Sequence, residues 1–206
     1  MSTTLTARPA TERPELDELV TAVRAAVALN TDWRGTASHV ADALRGHLPS
    51  PGLLPADLLT GERGTYRSHR LHVEPDGSFS MVAIIWQPGA LTRIRDHVTW
   101  CMFGILAGVE YEDLYTLSED GTALIEVGSN PNQAGEVTGF APPGDIHRVR
   151  NVSDSTAMSL HIYGTDLDRI GSSARRFYDL PVRPAEPRND RRRDMTKPAI
   201  GRDDAP

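Results

Sequence analysis

Apolar residues recur at helical spacing through Leu16, Leu19, Val20, Val23, Ala26 and Val27, which predicts an amphipathic helix opening near Pro14. Glu15, Asp17 and Glu18 suit the positive end of its dipole. Ala41, Leu44 and Leu48 continue the same period, so a second helix is expected over about 35 to 47, closed by Pro49-Ser50-Pro51-Gly52. From Tyr66 the pattern changes to short β-rich runs: RSHRLHV, SFSMVAIIW, VTWCMFGILAGVEYEDLYTL, TALIEVG, EVTGF, HRVRNV and AMSLHIYG. Pro-Gly, Asp-Gly and Asn-Pro turns part them. Strands of this length and spacing predict an all-β antiparallel sandwich or barrel, closed so that no long edge is left exposed, behind a helical prefix.

This divides the chain into a flexible N-terminus over 1–13, a helical prefix over 14–60, a barrel over 61–182 and a tail over 183–206. The tail, rich in proline and in charges of both signs, has almost nothing to bury and is expected to be disordered. At 206 residues one domain with a complete core is the expectation, and no internal repeat is visible. A net charge of −6 gives no basic field for nucleic acid, and the clustered arginines lie in the tail. No apolar run is long enough for a membrane span and the first residues hold no apolar stretch of a secretory signal, so neither membrane nor nucleic acid is an expected partner. The lone cysteine, Cys101, cannot form an internal disulfide, which suits a reducing, cytoplasmic location.

Candidate chemistry lies in three blocks. The first is Gly89-x5-Arg95-Asp96-His97-x3-Cys101-x6-Gly108, and the second is Pro142-Pro143-Gly144-Asp145-Ile146-His147-x3-Asn151. One histidine on each of two strands facing a barrel interior offers a metal two imidazole nitrogens, while the glycines and prolines set the turns. Read without the motifs, His97 and His147 are ordinary half-buried histidines. In the third block, Ser159-Leu160-His161-Ile162-Tyr163, strand alternation turns three polar groups toward one cavity.

The glycine spacing of the first block resembles the first cupin motif, G-x5-H-x-H-x3-E-x6-G, and the second block resembles the cupin PxGxxHxxxN. With the S-x-H-x-Y strand and the WQPG, DHVTW and GVEYE segments, roughly residues 65 to 180 resemble the cysteine dioxygenase family of thiol dioxygenases. The resemblance implies a cupin double-stranded β-helix, a mononuclear non-haem iron, and oxidation of a small thiol such as cysteine or 3-mercaptopropionate by O2 to a sulfinic acid. The thiolate would bind the metal directly, since coordination deprotonates a thiol. His97 and His147 match two iron-binding histidines, Tyr163 the active-site tyrosine, and Ser159 and His161 the relay that holds it. Cys101 admits three readings: a thioether to Tyr163, as in some family members, a thiolate ligand from the cupin glutamate slot, or plain packing. For a substrate carboxylate, the strand at Arg67, His69 and Arg70 matches the family's arginine region, and Arg175 and Arg176 are a second option.

Arg95 departs from the pattern, because it stands where the first metal histidine belongs. A guanidinium has no lone pair to give. At about 4 Å from a divalent ion it would be repelled by roughly 8 kcal/mol at an effective dielectric of 20. Three outcomes follow: a degenerate, non-catalytic cupin that binds a small thiol or acid, a two-histidine site completed by water, Cys101 or substrate, or an arginine turned aside to hold a substrate carboxylate. A two-histidine site would also suit nickel, which binds nitrogen and sulfur more tightly than ferrous iron. Its product could then be a rearranged, sulfonamide-type one.

Overall fold

The computed structural model describes residues 13–185. The expectations for the N-terminus and for most of the tail fall on residues outside this range. Helix α1 (Pro14–Val27) begins with proline at its first turn, where the missing N–H costs nothing, with Glu15 and Asp17 beside it. Helix α2 (Trp33–Gly46) starts two residues earlier than its periodicity predicts, because the Asp32 carboxylate accepts the Gly35 N–H at 2.7 Å and caps it there. Among the described residues no helix is long and apolar enough to cross a membrane.

The strands are β1 (Tyr66–Val73), β2 (Ser80–Trp86), β3 (Arg95–His97), β4 (Cys101–Ala107), β5 (Val109–Leu117), β6 (Leu124–Gln133), β7 (Val137–Phe140), β8 (His147–Arg150) and β9 (Ala157–Tyr163). A short helix α3 (Leu167–Ile170) then leads to β10 (Ala174–Phe177) and β11 (Val182–Pro184). They form two sheets, ordered β1-β2-β9-β4-β7 and β10-β3-β8-β5-β6-β11. This is the cupin barrel with a helical prefix that the sequence predicts.

The helices explain why β2 and β9 are buried along their whole length. Met81, Ala83, Ile85, Leu160 and Ile162 join Leu19, Val23, Val40 and Leu44 in one core outside the five-stranded sheet. Val82, Ile84, Trp86, Phe103 and Tyr163 form a second core inside the barrel. The helix side comes so close that a Cβ on Gly104 would lie 2.4 Å from Leu48. Each such apolar side chain contributes about 1.5–3 kcal/mol by leaving water, which anchors the back of the sheet that carries β9.

The long run VTWCMFGILAGVEYEDLYTL is two strands in different sheets. Gly108 breaks it at φ 73°, with Ala157 2.9 Å from where a Cβ would stand, so only glycine turns the corner. β3, β10 and β11, of three or four residues each, are too short to show a period. β11 also moves the edge of the tail: Val182–Pro184 pairs parallel with Leu124–Glu126, so ordered structure runs past position 183.

Candidate metal and substrate site

His97, His147 and Glu112 stand on three neighbouring strands of the six-stranded sheet, β3, β8 and β5. Arg95 pairs directly with His147, and His147 pairs with Leu114. Directly opposed residues share a face and alternate residues repeat it, so Arg95, His97, His147, Glu112 and Glu110 all turn toward the barrel interior. From the opposite sheet Cys101 pairs with Tyr163, Phe103 with His161 and Ile105 with Ser159, again facing inward. The barrel thus brings together every residue of the three blocks to which the resemblance gives a role.

His97 is 2% exposed, and Asp145 Oδ2 accepts its backbone N–H at 2.8 Å and lies 3.2 Å from its Nδ1. That contact makes Nδ1 the protonated nitrogen and leaves Nε2 as the lone-pair donor. His147 is 3% exposed, and its Nδ1 lies 2.9 Å from Glu112 Oε1. The two are in contact but out of line for a hydrogen bond, so both His147 ring nitrogens are buried without a hydrogen-bond partner. Burial, and then the charge of Arg95, hold the His147 pKa well below its ordinary value; burial likewise lowers that of His97. Both rings are neutral at pH 7, the form that can ligate.

Two such nitrogens fit a transition metal. The His97 and His147 ring centres are 4.9 Å apart. As the side chains stand, no three His, Cys, Asp or Glu groups among the described residues converge on one point. Phe140 packs against both rings, at 4.6 and 4.8 Å.

Tyr163 belongs to a buried chain. Trp86 Nε1–H donates to Ser159 Oγ at 2.9 Å, and Ser159 Oγ lies 2.9 Å from His161 Nε2. The indole can only donate, so Ser159 Oγ accepts there and turns its remaining lone pair and its proton to His161 Nε2 and the neighbouring Glu110. Nδ1 faces the Tyr163 hydroxyl at 3.5 Å and Cys101 Sγ at 3.7 Å. Burial pushes the Cys101 thiol and the Tyr163 phenol well up, so both keep their protons. At the inner end of this chain stands Glu110, fully buried, with both carboxyl oxygens unpartnered and its pKa raised to about 8 by burial. Burial raises Glu112 to about 7 against the pull of Arg95.

A cavity of about 190 Å³ opens beside Tyr163, lined among others by Tyr66, Ser68, Arg70, Arg95 and Phe177. It is below the range of about 300–1,000 Å³ that drug-sized ligands occupy, and suits a molecule of a few heavy atoms. A broader hollow of about 520 Å³ along β6 and β11 holds none of the candidate residues. Arg70 meets Asp168 in an ion pair but keeps its Nε buried and unpartnered. Arg95 donates to Thr92 Oγ1 and the Arg93 carbonyl, which draws it to the cavity wall. Arg67 is exposed, and alternation turns it away from the face that Ser68 and Arg70 share. Arg175 and Arg176 are committed elsewhere: both donate to the buried Asp96 Oδ2 at 2.6 Å, with Tyr178 at 2.9 Å, and so lash β10 to β3. Glu110, Glu112 and Asp145 are the site residues that the motifs do not mark.

The family model described as cysteine dioxygenase type I matches residues 62–176, over half of the 206. Similar solved structures include a Cupin 2 conserved barrel domain protein from Salinispora arenicola, 20% identical over 57% of this chain and 93% of that one, with a TM-score of 0.40. Oxalate oxidase in complex with the substrate analogue glycolate is 18% identical over 58% and 60%, with a TM-score of 0.42. Lactobacillus farciminis oxalate decarboxylase in its formate complex is 16% identical over 53% and 32%, at 0.41. At such scores these likenesses carry no argument about chemistry.

Proposed function

The chain belongs to the cysteine dioxygenase type I family, and we propose that it oxidises a small carboxylate-bearing thiol, cysteine first, with O2 at one metal held by His97 and His147. Thiol and O2 combine without other reactants into the sulfinic acid. The observation that carries this reading is the meeting, inside one barrel, of two neutral histidines with unspent nitrogen lone pairs and the Tyr163–His161–Ser159 chain. The bound metal, iron by family and nickel as the second candidate, would acidify the substrate thiol and supply the redox chemistry toward O2.

The protein's own groups bind and orient. Arg70 and Arg95 line the cavity, and their charges suit a carboxylate placed between them. His161, held by Ser159 at Nε2, faces the Tyr163 oxygen with Nδ1; with its proton on Nδ1 it donates there and leaves the phenol proton to the cavity, at substrate or oxygen. Cys101, the direct strand partner of Tyr163, is placed for the thioether. Its Sγ faces His161 Nδ1 at 3.7 Å, from the sheet opposite His97 and His147.

Arg95 in a ligand slot favours a second reading, in which the same thiol-bound start ends in a rearranged, sulfonamide-type product. The test is metal analysis and O2 uptake with cysteine, 3-mercaptopropionate and cysteamine, on protein reconstituted with iron or with nickel. Sulfinate in the product mass spectrum supports the first outcome, and a sulfonamide-type mass the second. Protein that takes up neither metal and consumes no O2 is the degenerate binding module instead.

A further inference from the structure

We propose that Arg95 forms a second carboxylate subsite opposite Arg70, so that the cavity beside Tyr163 is fitted to a dicarboxylic thiol rather than to an amino thiol. This rests on the reading of that cavity as the place of the thiol substrate. Arg70 lies on β1 and Arg95 on β3, so the two guanidiniums line the cavity from different sheets. Each has its own need of an anion. Arg70 is paired with the exposed Asp168, yet its Nε–H is buried without an acceptor. Arg95 spends only Nη1, on Thr92 Oγ1 and the Arg93 carbonyl, and among the described residues it stands in no ion pair.

The lining of the cavity selects against an ammonium. No aspartate or glutamate is part of it among the described residues, while Ser68, Ser172 and Ser173 bring hydroxyls that can donate to an anion. The acids on which Arg95 pulls, Glu110 and Glu112, are buried in the barrel outside this lining, and burial favours their neutral forms. Arg95 therefore lacks a full counter-charge of the protein's own. An ammonium beside two guanidiniums meets like charges where they are screened less than in water. A carboxylate there accepts two parallel bonds from a planar fork. One carboxylate shared by both arginines leaves each partly unsatisfied, because Thr92 and the Arg93 carbonyl hold Arg95 to its own wall. Two carboxylates on a short carbon chain meet one arginine each, and such a thiol is still of the small size that about 190 Å³ admits.

The experiment titrates succinate, propionate and β-alanine by calorimetry into full-length wild type, Arg95→Gln, Arg95→Lys and Arg70→Gln, with no metal added. The probes carry two carboxylates, one carboxylate, and one carboxylate with an ammonium. Wild type is expected to bind succinate about 10–100-fold more tightly than propionate, the worth of one charged hydrogen-bonded contact, and β-alanine more weakly than propionate. Arg95→Gln and Arg70→Gln should each bring succinate down to about the affinity of propionate. Arg95→Lys, which keeps the charge and loses the fork, should retain part of the preference. Circular dichroism keeps the comparison to folded variants. Equal binding of succinate and propionate by wild type would overturn the assignment, as would a preference that survives Arg95→Gln, or no binding of either. O2 uptake on iron-loaded protein should show a higher kcat/KM for mercaptosuccinate than for cysteine or 3-mercaptopropionate, and the reverse order also overturns it. Protein that binds succinate as expected but oxidises none of the three sinks the thiol-oxidation reading instead, with the subsite upheld by the calorimetry.

Discussion

Glu110→Gln removes from the barrel a carboxyl that burial holds up at about 8 from an ordinary 4.5. In the unfolded chain this group ionises near its ordinary value, whereas in the folded metal-free protein it keeps its proton until about pH 8. Between those values the native state binds one proton more than the unfolded state, so stability falls as pH rises. The slope is about 1.4 kcal/mol per pH unit, and the accumulated cost above pH 8 is about 5 kcal/mol. At pH 5 the cost is still only about 1 kcal/mol, which leaves about 4 kcal/mol to be lost between pH 5 and pH 9. Glutamine has its own desolvation cost in this place, but one that does not change with pH. The Tm advantage of the variant over wild type should therefore grow by about 8–16 °C from pH 5 to pH 9, at about 2–4 °C per kcal/mol for a chain of this size. Thermal melts of both metal-free proteins by circular dichroism measure it, and groups common to both cancel in the difference. Parallel Tm curves across that range would refute the claim that Glu110 is folded in as the neutral acid.

Arg95→His should raise iron affinity by at least about tenfold, worth 1.4 kcal/mol, because it adds a donor and removes a repelling charge; chelator competition measures it, and unchanged affinity would place Arg95 outside the metal's reach. Arg70→Ala should raise KM for cysteine and 3-mercaptopropionate by about 10–100-fold, the worth of one charged hydrogen bond, and leave cysteamine, which has no carboxylate, unaffected; an equal loss for all three in an O2-electrode assay contradicts the carboxylate role. After turnover, intact mass should show the loss of two hydrogens in wild type and not in Cys101→Ala, and a wild-type mass that stays unchanged rules out the thioether.

Much of this architecture is written in the spacing of residues. The helical repeat of Leu16, Leu19, Val20 and Val23 marks α1, and the alternation of Ser159, His161 and Tyr163 marks the inner face of β9, because one buried face imposes one period. The strand break at Gly108 is hidden in a continuous apolar run, since β4 is buried on both faces and shows no alternation. Arg67 and Arg70 are a matter of parity: they differ by an odd number, so they turn opposite ways, and no motif says which way is in. Glu110 and Glu112 alternate as well as any apolar pair, but acids at period two read as a solvent face. The pairing of β5 with β8 beside His147 turns them inward, and that pairing joins segments more than thirty residues apart.

The charge of Arg95 makes sense of those two acids together. A site of three neutral histidines presents a divalent ion with no protein charge at all, whereas arginine in the first position adds one positive charge inside a barrel of low polarity. Burial alone favours the neutral acid at both glutamates, and Arg95 pulls against burial at each. Glu112 is left near 7 and Glu110, which also has the Glu112 charge beside it, near 8. Burial, with the charge of Arg95 behind it, holds the pKa values of His97, His147 and His161 below the ordinary range, so the rings stay neutral. In the proposed site Arg95 would repel an ion directly and, with burial, help keep the facing histidines neutral.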